Sequence, residues 1–80
     1  MNYSYEEFLQ DLSIGREIHF IYKETDYYIG CGTGRYMFYK AYDDSSEVMG
    51  DNVDDLLRKV ELHGNSIKEV WNDIKIDIIF

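Results

Sequence analysis

From Arg16 to Tyr42 the side chains alternate residue by residue, and the alternation breaks only at two short turns. Ile18, Phe20 and Tyr22 fall on one side, while Glu17, His19 and Ile21 fall on the other. That period of two is the mark of a half-buried strand, expected over residues 16–23. Glu24-Thr25-Asp26 is short and polar, as a hairpin turn requires. A second strand is expected over 27–32, weakened by Gly30 and Gly32, and Gly32-Thr33-Gly34 supplies the next turn. A third strand over 35–42 carries Tyr36, Phe38, Lys40 and Tyr42 on one face and Met37, Tyr39 and Ala41 on the other. Both faces hold large side chains, so alternation alone leaves the buried one open. Three neighbouring strands joined by tight turns fold as an antiparallel meander.

Helical spacing brackets this segment. Ser4 with Glu7 forms a capping-box pattern, followed by Tyr5, Phe8, Leu9 and Leu12. The expected helix covers residues 4–13 and ends before Gly15. Residues 43–50 read as a loop. Asp51 or Asn52 then caps a second helix with Val53, Leu56, Leu57 and Val60 as its apolar stripe. Asp54 and Asp55 in its first turn, and Arg58 and Lys59 near its end, suit the helix dipole. His63-Gly64-Asn65 breaks the helix. Ser66 with Glu69 is a further capping box, predicting a third helix over 66–73 that buries Ile67, Val70, Trp71 and Ile74. A last strand over 75–80 is expected to point Ile76, Ile78 and Phe80 inward and Asp77 outward. The predicted class is α+β in the order α-β-β-β-α-α-β: an antiparallel three-stranded meander plus a C-terminal strand, with helices packed on one face. Eighty residues make a single domain, 1–80.

The charge excludes more than it assigns. Eight basic residues against sixteen acidic ones give a net charge of -8, the wrong sign for direct nucleic-acid binding. No apolar run approaches a membrane span and no signal peptide is apparent, so neither a membrane nor export is expected. One cysteine cannot close an internal disulfide, which fits the cytoplasm. Three quarters of the net charge lies between residues 43 and 55, where Asp43, Asp44, Glu47, Asp51, Asp54 and Asp55 meet no basic residue. Such a cluster either solvates a loop and a helix start or docks on a basic surface. Phosphate-like spacing of the carboxylates would let it imitate a nucleic-acid backbone. Eight tyrosines, four phenylalanines and one tryptophan exceed what so small a core can enclose. Tyr36, Tyr39 and Tyr42 are the most available contact residues.

Sites for chemistry are scarce. Gly30-Cys31-Gly32-Thr33-Gly34 leads into a strand, whereas a phosphate loop leads into a helix. Cys31 with His19 is the sole nucleophile and base pairing on offer, and a thiol-dependent enzyme would rest on it. Cys31 shares the parity of Tyr27 and Ile29, which makes it a small core residue instead. His19 and His63 show no metal-ligand spacing. Asp43, Ser45 and Glu47 lack the glycine and twelfth-position glutamate of a calcium loop. No catalytic residue, metal or cofactor is expected.

Val53-Asp54-Asp55-Leu56-Leu57, then Gly64-Asn65-Ser66-Ile67-Lys68-Glu69-Val70-Trp71, then the isoleucine-rich tail carry a likeness. With the N-terminal Glu-Glu-Phe-Leu helix and the tyrosine-rich meander, the chain resembles a group of short, acidic, largely uncharacterised bacterial and phage proteins. The resemblance implies a fold pattern and an origin, and no activity. The expected function is protein binding: an acidic inhibitor (an immunity protein, an antitoxin or a phage anti-defence protein) that docks on the basic surface of a nuclease or defence complex. That partner would itself bind nucleic acid. The alternative is an assembly module that forms a homodimer through a sheet edge or an apolar face, with Ile21 and Ile79 facing outward.

Overall fold

Ser4 opens the first helix of the computed structural model, which describes residues 3–32 and 34–80 and leaves the side chain of Asp44 undescribed. The Ser4 hydroxyl accepts the Glu7 N–H at 3.1 Å, and the Glu7 carboxylate accepts the Ser4 N–H at 3.2 Å. This reciprocal cap satisfies two N–H groups that a helix start leaves orphaned. Helix α1 runs Tyr5–Ser13 and buries Phe8 and Leu12. The strands β1 (Ile18–Tyr22), β2 (Thr25–Cys31), β3 (Tyr36–Lys40) and β4 (Asp43–Gly50) follow, then α2 (Val53–Lys59) and β5 (Lys75–Ile79). The five strands form one antiparallel sheet in the order β4-β3-β2-β1-β5. The protein is therefore α+β, with two α-helices where the sequence suggested three, and with one strand more.

The first hairpin turns one step earlier than its composition suggested. Tyr22 pairs with Thr25, so Lys23-Glu24 is the whole loop, and Thr25 and Asp26 belong to β2. Both loop residues have positive φ, 49° and 64°. A two-residue loop between right-twisted strands needs that geometry, and it ordinarily selects Asn-Gly. A side-chain-bearing residue held there is strained by about 1 kcal/mol. Glu24→Gly is therefore expected to stabilise the fold by roughly 0.5–1 kcal/mol, read as a higher urea midpoint at unchanged slope. In the second hairpin Thr33 lies outside the described residues. The Gly32 N–H beside it donates to the Arg35 carbonyl at 2.7 Å.

Residues 43–50 are a strand, not a loop. Asp-Asp-Ser-Ser-Glu has little intrinsic β preference, but β3 supplies a partner, and Phe38 and Met37 pair with Val48 and Met49. Where the register shifts, the Ser46 hydroxyl accepts the Lys40 N–H at 2.8 Å and donates to the Asp43 carbonyl at 2.7 Å. A side chain thus completes the ladder where the backbone does not. Gly50 ends β4 against α2: a Cβ there would stand 2.6 Å from the Leu56 amide nitrogen.

The third helix is a single turn. The Ser66–Glu69 capping box forms, with Ser66 N–H to the Glu69 carboxylate at 2.8 Å and Glu69 N–H to the Ser66 hydroxyl at 3.2 Å. Only a short 3-10 turn, Trp71–Asp73, comes after it. One capped turn with β-branched Ile67 and Val70 and with Asn72 and Asp73 behind it does not repay helix nucleation. Ile67 and Val70 are nonetheless buried, and Trp71 and Ile74 pack against the core, as the spacing suggested.

The last strand shows the largest difference in side-chain direction. Phe20 pairs with Ile76 and His19 with Ile78, so Asp77 is an extra residue in a bulge. The bulge resets the parity. Ile76 and Ile79 face the core, and Ile78 and Phe80 face away from it, 45% and 64% exposed. Ile79 is thus inside rather than on an outer face. Asp77 and Lys75 also place charge on the free edge of β5, which discourages edge-to-edge pairing.

Candidate functional site

Both helices and the segment 60–74 pack on one face of the sheet. Phe8, Leu12, Leu56, Val60, Leu62, Ile67 and Val70 meet Ile18, Phe20, Tyr22, Tyr27, Ile29 and Phe38 there. The opposite face carries His19 and Ile21 of β1, Tyr28 and Gly30 of β2, Met37 and Tyr39 of β3, Met49 of β4, and Ile78. None of these residues belongs to the core cluster or packs against it. Among the described residues the protein is two layers deep, with no second layer over this sheet face.

Aromatic rings cross that open face in a row of edge-to-face and tilted contacts. Phe80 lies 4.9 Å from His19, His19 lies 4.0 Å from Tyr28, and Tyr28 lies 5.1 Å from Tyr39, centroid to centroid. Strand pairing sets the row, because His19 stands opposite Tyr28 and Tyr28 opposite Tyr39. The His19 ring is held by the Glu17 carboxylate, Nε2 to Oε2 at 2.5 Å. Gly30 lets β1 come close: a Cβ there would stand 2.9 Å from the Glu17 Cα. The dent it leaves, lined by Glu17, Tyr28, Met37 and Tyr39, holds about 70 Å³, far below the roughly 300 Å³ of a small-molecule cleft. The face suits a macromolecular surface better than a small ligand.

The acidic run is contiguous in sequence and divided in space. Asp43 begins β4 and Asp51 follows its far end, a separation of roughly 25 Å along an extended strand. Around α2 the acids carry cations. Asp51 takes Arg35 at 3.1 Å, Asp55 takes Lys59 at 3.2 Å, and Asp54 takes Arg58 at 3.9 Å. The Asp55 carboxylate also accepts the Asp51 N–H at 3.0 Å, while Asn52 caps the helix by accepting the Asp55 N–H at 2.8 Å. Asp43 accepts the Ser45 hydroxyl at 2.6 Å. Glu47 is exposed on β4, and the Asp44 side chain lies outside the description. The tyrosines separate as well: Tyr36 packs against the core, Tyr39 stands on the open face, and Tyr42 is fully exposed at the turn before β4.

These contacts lower three carboxyl pKa values. Hydrogen bonds from the Ser45 side chain and N–H do so at Asp43, and the Asp51 N–H with Lys59 does so at Asp55. At Glu69 the donors are the Ser66 N–H and hydroxyl. A folded value below the unfolded one stabilises above the ordinary pKa and loses that contribution as pH falls through the folded value. The melting temperature is therefore expected to hold steady down to the ordinary values, 3.8 for aspartate and 4.5 for glutamate, and to fall below them. Ser45→Ala should return the Asp43 titration, followed by NMR, towards 3.8.

Cys31 is exposed, a correction to its expected core position. It keeps the core-side parity but sits at the end of β2, opposite half-buried Tyr36. His19 faces the other side of the sheet, opposite Tyr28, so the two side chains are not assembled as a pair. Among the described residues, no group of three His, Cys, Asp or Glu side chains is placed to hold a metal ion, and no helix is long and apolar enough to cross a membrane. In comparisons with known proteins, no family model, curated protein or solved structure matched the chain.

Proposed function

We propose that this protein is a small acidic protein-binding module, an inhibitor that docks on the basic surface of a nuclease or defence complex. One observation carries the reading: a sheet face bearing His19, Tyr28, Tyr39, Met37, Met49, Ile78 and Phe80 lies outside the core on a chain of net charge -8, with Ile78 and Phe80 exposed and the others half-buried. Apolar and aromatic side chains give such a contact its core, and the field of the acids elsewhere on the chain steers a basic partner in. Asp43, Asp44, Glu47, Asp51, Asp54 and Asp55 supply that field. Three of them are held by arginine or lysine, so their contribution is to association rate more than to buried pairing. Tyr39 and Tyr42 remain the contact tyrosines, and Tyr36 serves the core.

The test is affinity capture of a basic protein from the source cell, followed by kinetics with that purified partner at low and physiological salt. Association should slow roughly tenfold with salt. Asp51→Asn/Asp54→Asn/Asp55→Asn should slow association several-fold with little change in dissociation. Salt-independent association, or a captured partner that is itself acidic, contradicts the reading. Exposed Ile78 and Phe80 favour a second reading, self-association through the same face. A dimer in sedimentation equilibrium would support it, against the repulsion of two copies at -8 each.

A further inference from the structure

Phe80, His19, Tyr28 and Tyr39 line up across three strands and the chain end, and a carboxylate flanks the row on each side. Glu17 lies two residues before His19, just ahead of β1, and Asp26 precedes Tyr28 by two on β2. The strands are antiparallel, so these two acids lie at opposite flanks: Glu17 over Gly30, and Asp26 beside Ile21. Lys75 shares the Asp26 flank, across Ile21 on β5. Glu17 keeps its side chain 49% exposed even while holding His19.

We infer that this row is a docking site for arginine side chains of a basic protein, a step that rests on the binding role proposed above. The guanidinium group has the matching chemistry. It is planar, weakly hydrated and permanently charged, so it stacks on aromatic faces and also reaches a carboxylate with its remaining N–H donors. Lysine offers a charge and no plane to stack. The ring row supplies the aromatic faces, Glu17 and Asp26 supply acceptors at its margins, and Met37 and Met49 beside Gly30 supply deformable apolar contact. The overall charge of -8 favours a cationic occupant and opposes a second copy of this chain.

The test uses defined probes: N-acetylated, C-amidated peptides of repeating Gly-Arg, Gly-Lys and Gly-Gln, titrated into the whole protein and followed by NMR. Gly-Arg should bind saturably and shift the signals of His19, Tyr28, Tyr39 and Phe80. Gly-Lys should bind several-fold more weakly and Gly-Gln not at all. Tyr28→Leu/Tyr39→Leu keeps apolar bulk and removes two ring faces. It should weaken Gly-Arg roughly tenfold and bring it close to Gly-Lys, at an unchanged melting temperature. If that double variant loses its fold, Glu17→Gln and Asp26→Asn replace it, with a several-fold loss for Gly-Arg expected. Shifts confined to residues 43–55, or equal affinity for Gly-Arg and Gly-Lys, overturn the arginine row and leave the acidic-module reading standing. Absence of saturable binding by either cationic peptide overturns the row, and salt-independent partner binding overturns the module. A dimer that closes over Tyr28 and Phe80 overturns both.

Discussion

Phe8→Ala should be among the most damaging single substitutions in the chain, at roughly 3–5 kcal/mol. The ring is completely buried and joins parts of the chain that are distant in sequence. It sits in α1, 4.9 Å from Trp71 and 5.8 Å from Tyr5 by ring centroids, and Trp71 lies in the turn that leads to β5. Truncation removes the transfer free energy of a phenyl group and leaves a cavity that neither a capped helix nor a sheet can collapse into. A domain of this size has about 4–12 kcal/mol of stability in total. The variant should therefore lie near or beyond the edge of folding, with its urea midpoint lowered at unchanged slope. A loss under about 1 kcal/mol would show that α1 does not anchor the core.

Gly50→Ala should cost about 2–3 kcal/mol, although it adds one methyl group to a molecule with five other glycines. A Cβ at residue 50 would stand 2.6 Å from the amide nitrogen, 2.7 Å from the Cα and 2.9 Å from the Cβ of Leu56. Two of those atoms are backbone, and Leu56 is itself fully buried, so no rotamer change relieves the contact. α2 must lift from β4. The Lys59 Nζ bond to the Met49 carbonyl, 3.1 Å, would be lost with it. Loss of protection from hydrogen exchange in α2, with β1 and β2 still protected, is the expected signature. A neutral effect on the urea midpoint would mean that α2 sits further from the sheet than its contacts with Gly50 indicate.

The elements legible in the sequence were those whose period and punctuation agree. Ser4 with Glu7, Asn52 before Val53, and the alternation from Ile18 to Phe38 each state a local preference that the fold keeps. What stayed hidden depends on partners distant in the chain. Asp43 to Glu47 has no strand-like composition; it extends because β3 offers a ladder and Ser46 completes it. The bulge at Asp77 reverses Ile78 and Phe80 through pairing with β1, which no spacing within the tail records. Ser66 with Glu69 states where a turn begins, and the β-branched Ile67 and Val70 with Asn72 and Asp73 behind them keep it from extending into a helix.

The acids between 43 and 55 were legible as a run, but Arg35, sixteen positions from Asp51, was not legible as a partner. The open face did carry a signal. Two short amphipathic helices cannot cover both sides of a sheet in which His19, Tyr28, Met37 and Tyr39 occupy the side opposite Phe20, Ile29 and Phe38. Tyrosine and methionine on that side read equally well as a second core face, and only the number of layers distinguishes the two.

Solvent access to the two sheet faces is the most direct measurement of whether one side is bare and ready for a partner. A soluble gadolinium chelate added to the free protein should strongly broaden the NMR signals of Tyr28, Tyr39, Phe80 and the Met37 and Met49 methyl groups. Phe8, Phe20 and Phe38 should stay sharp, at micromolar and millimolar protein alike. Equal protection of both sets, or protection of the first set that grows with protein concentration, would contradict the account, because the chain would then already cover the face assigned to its partner.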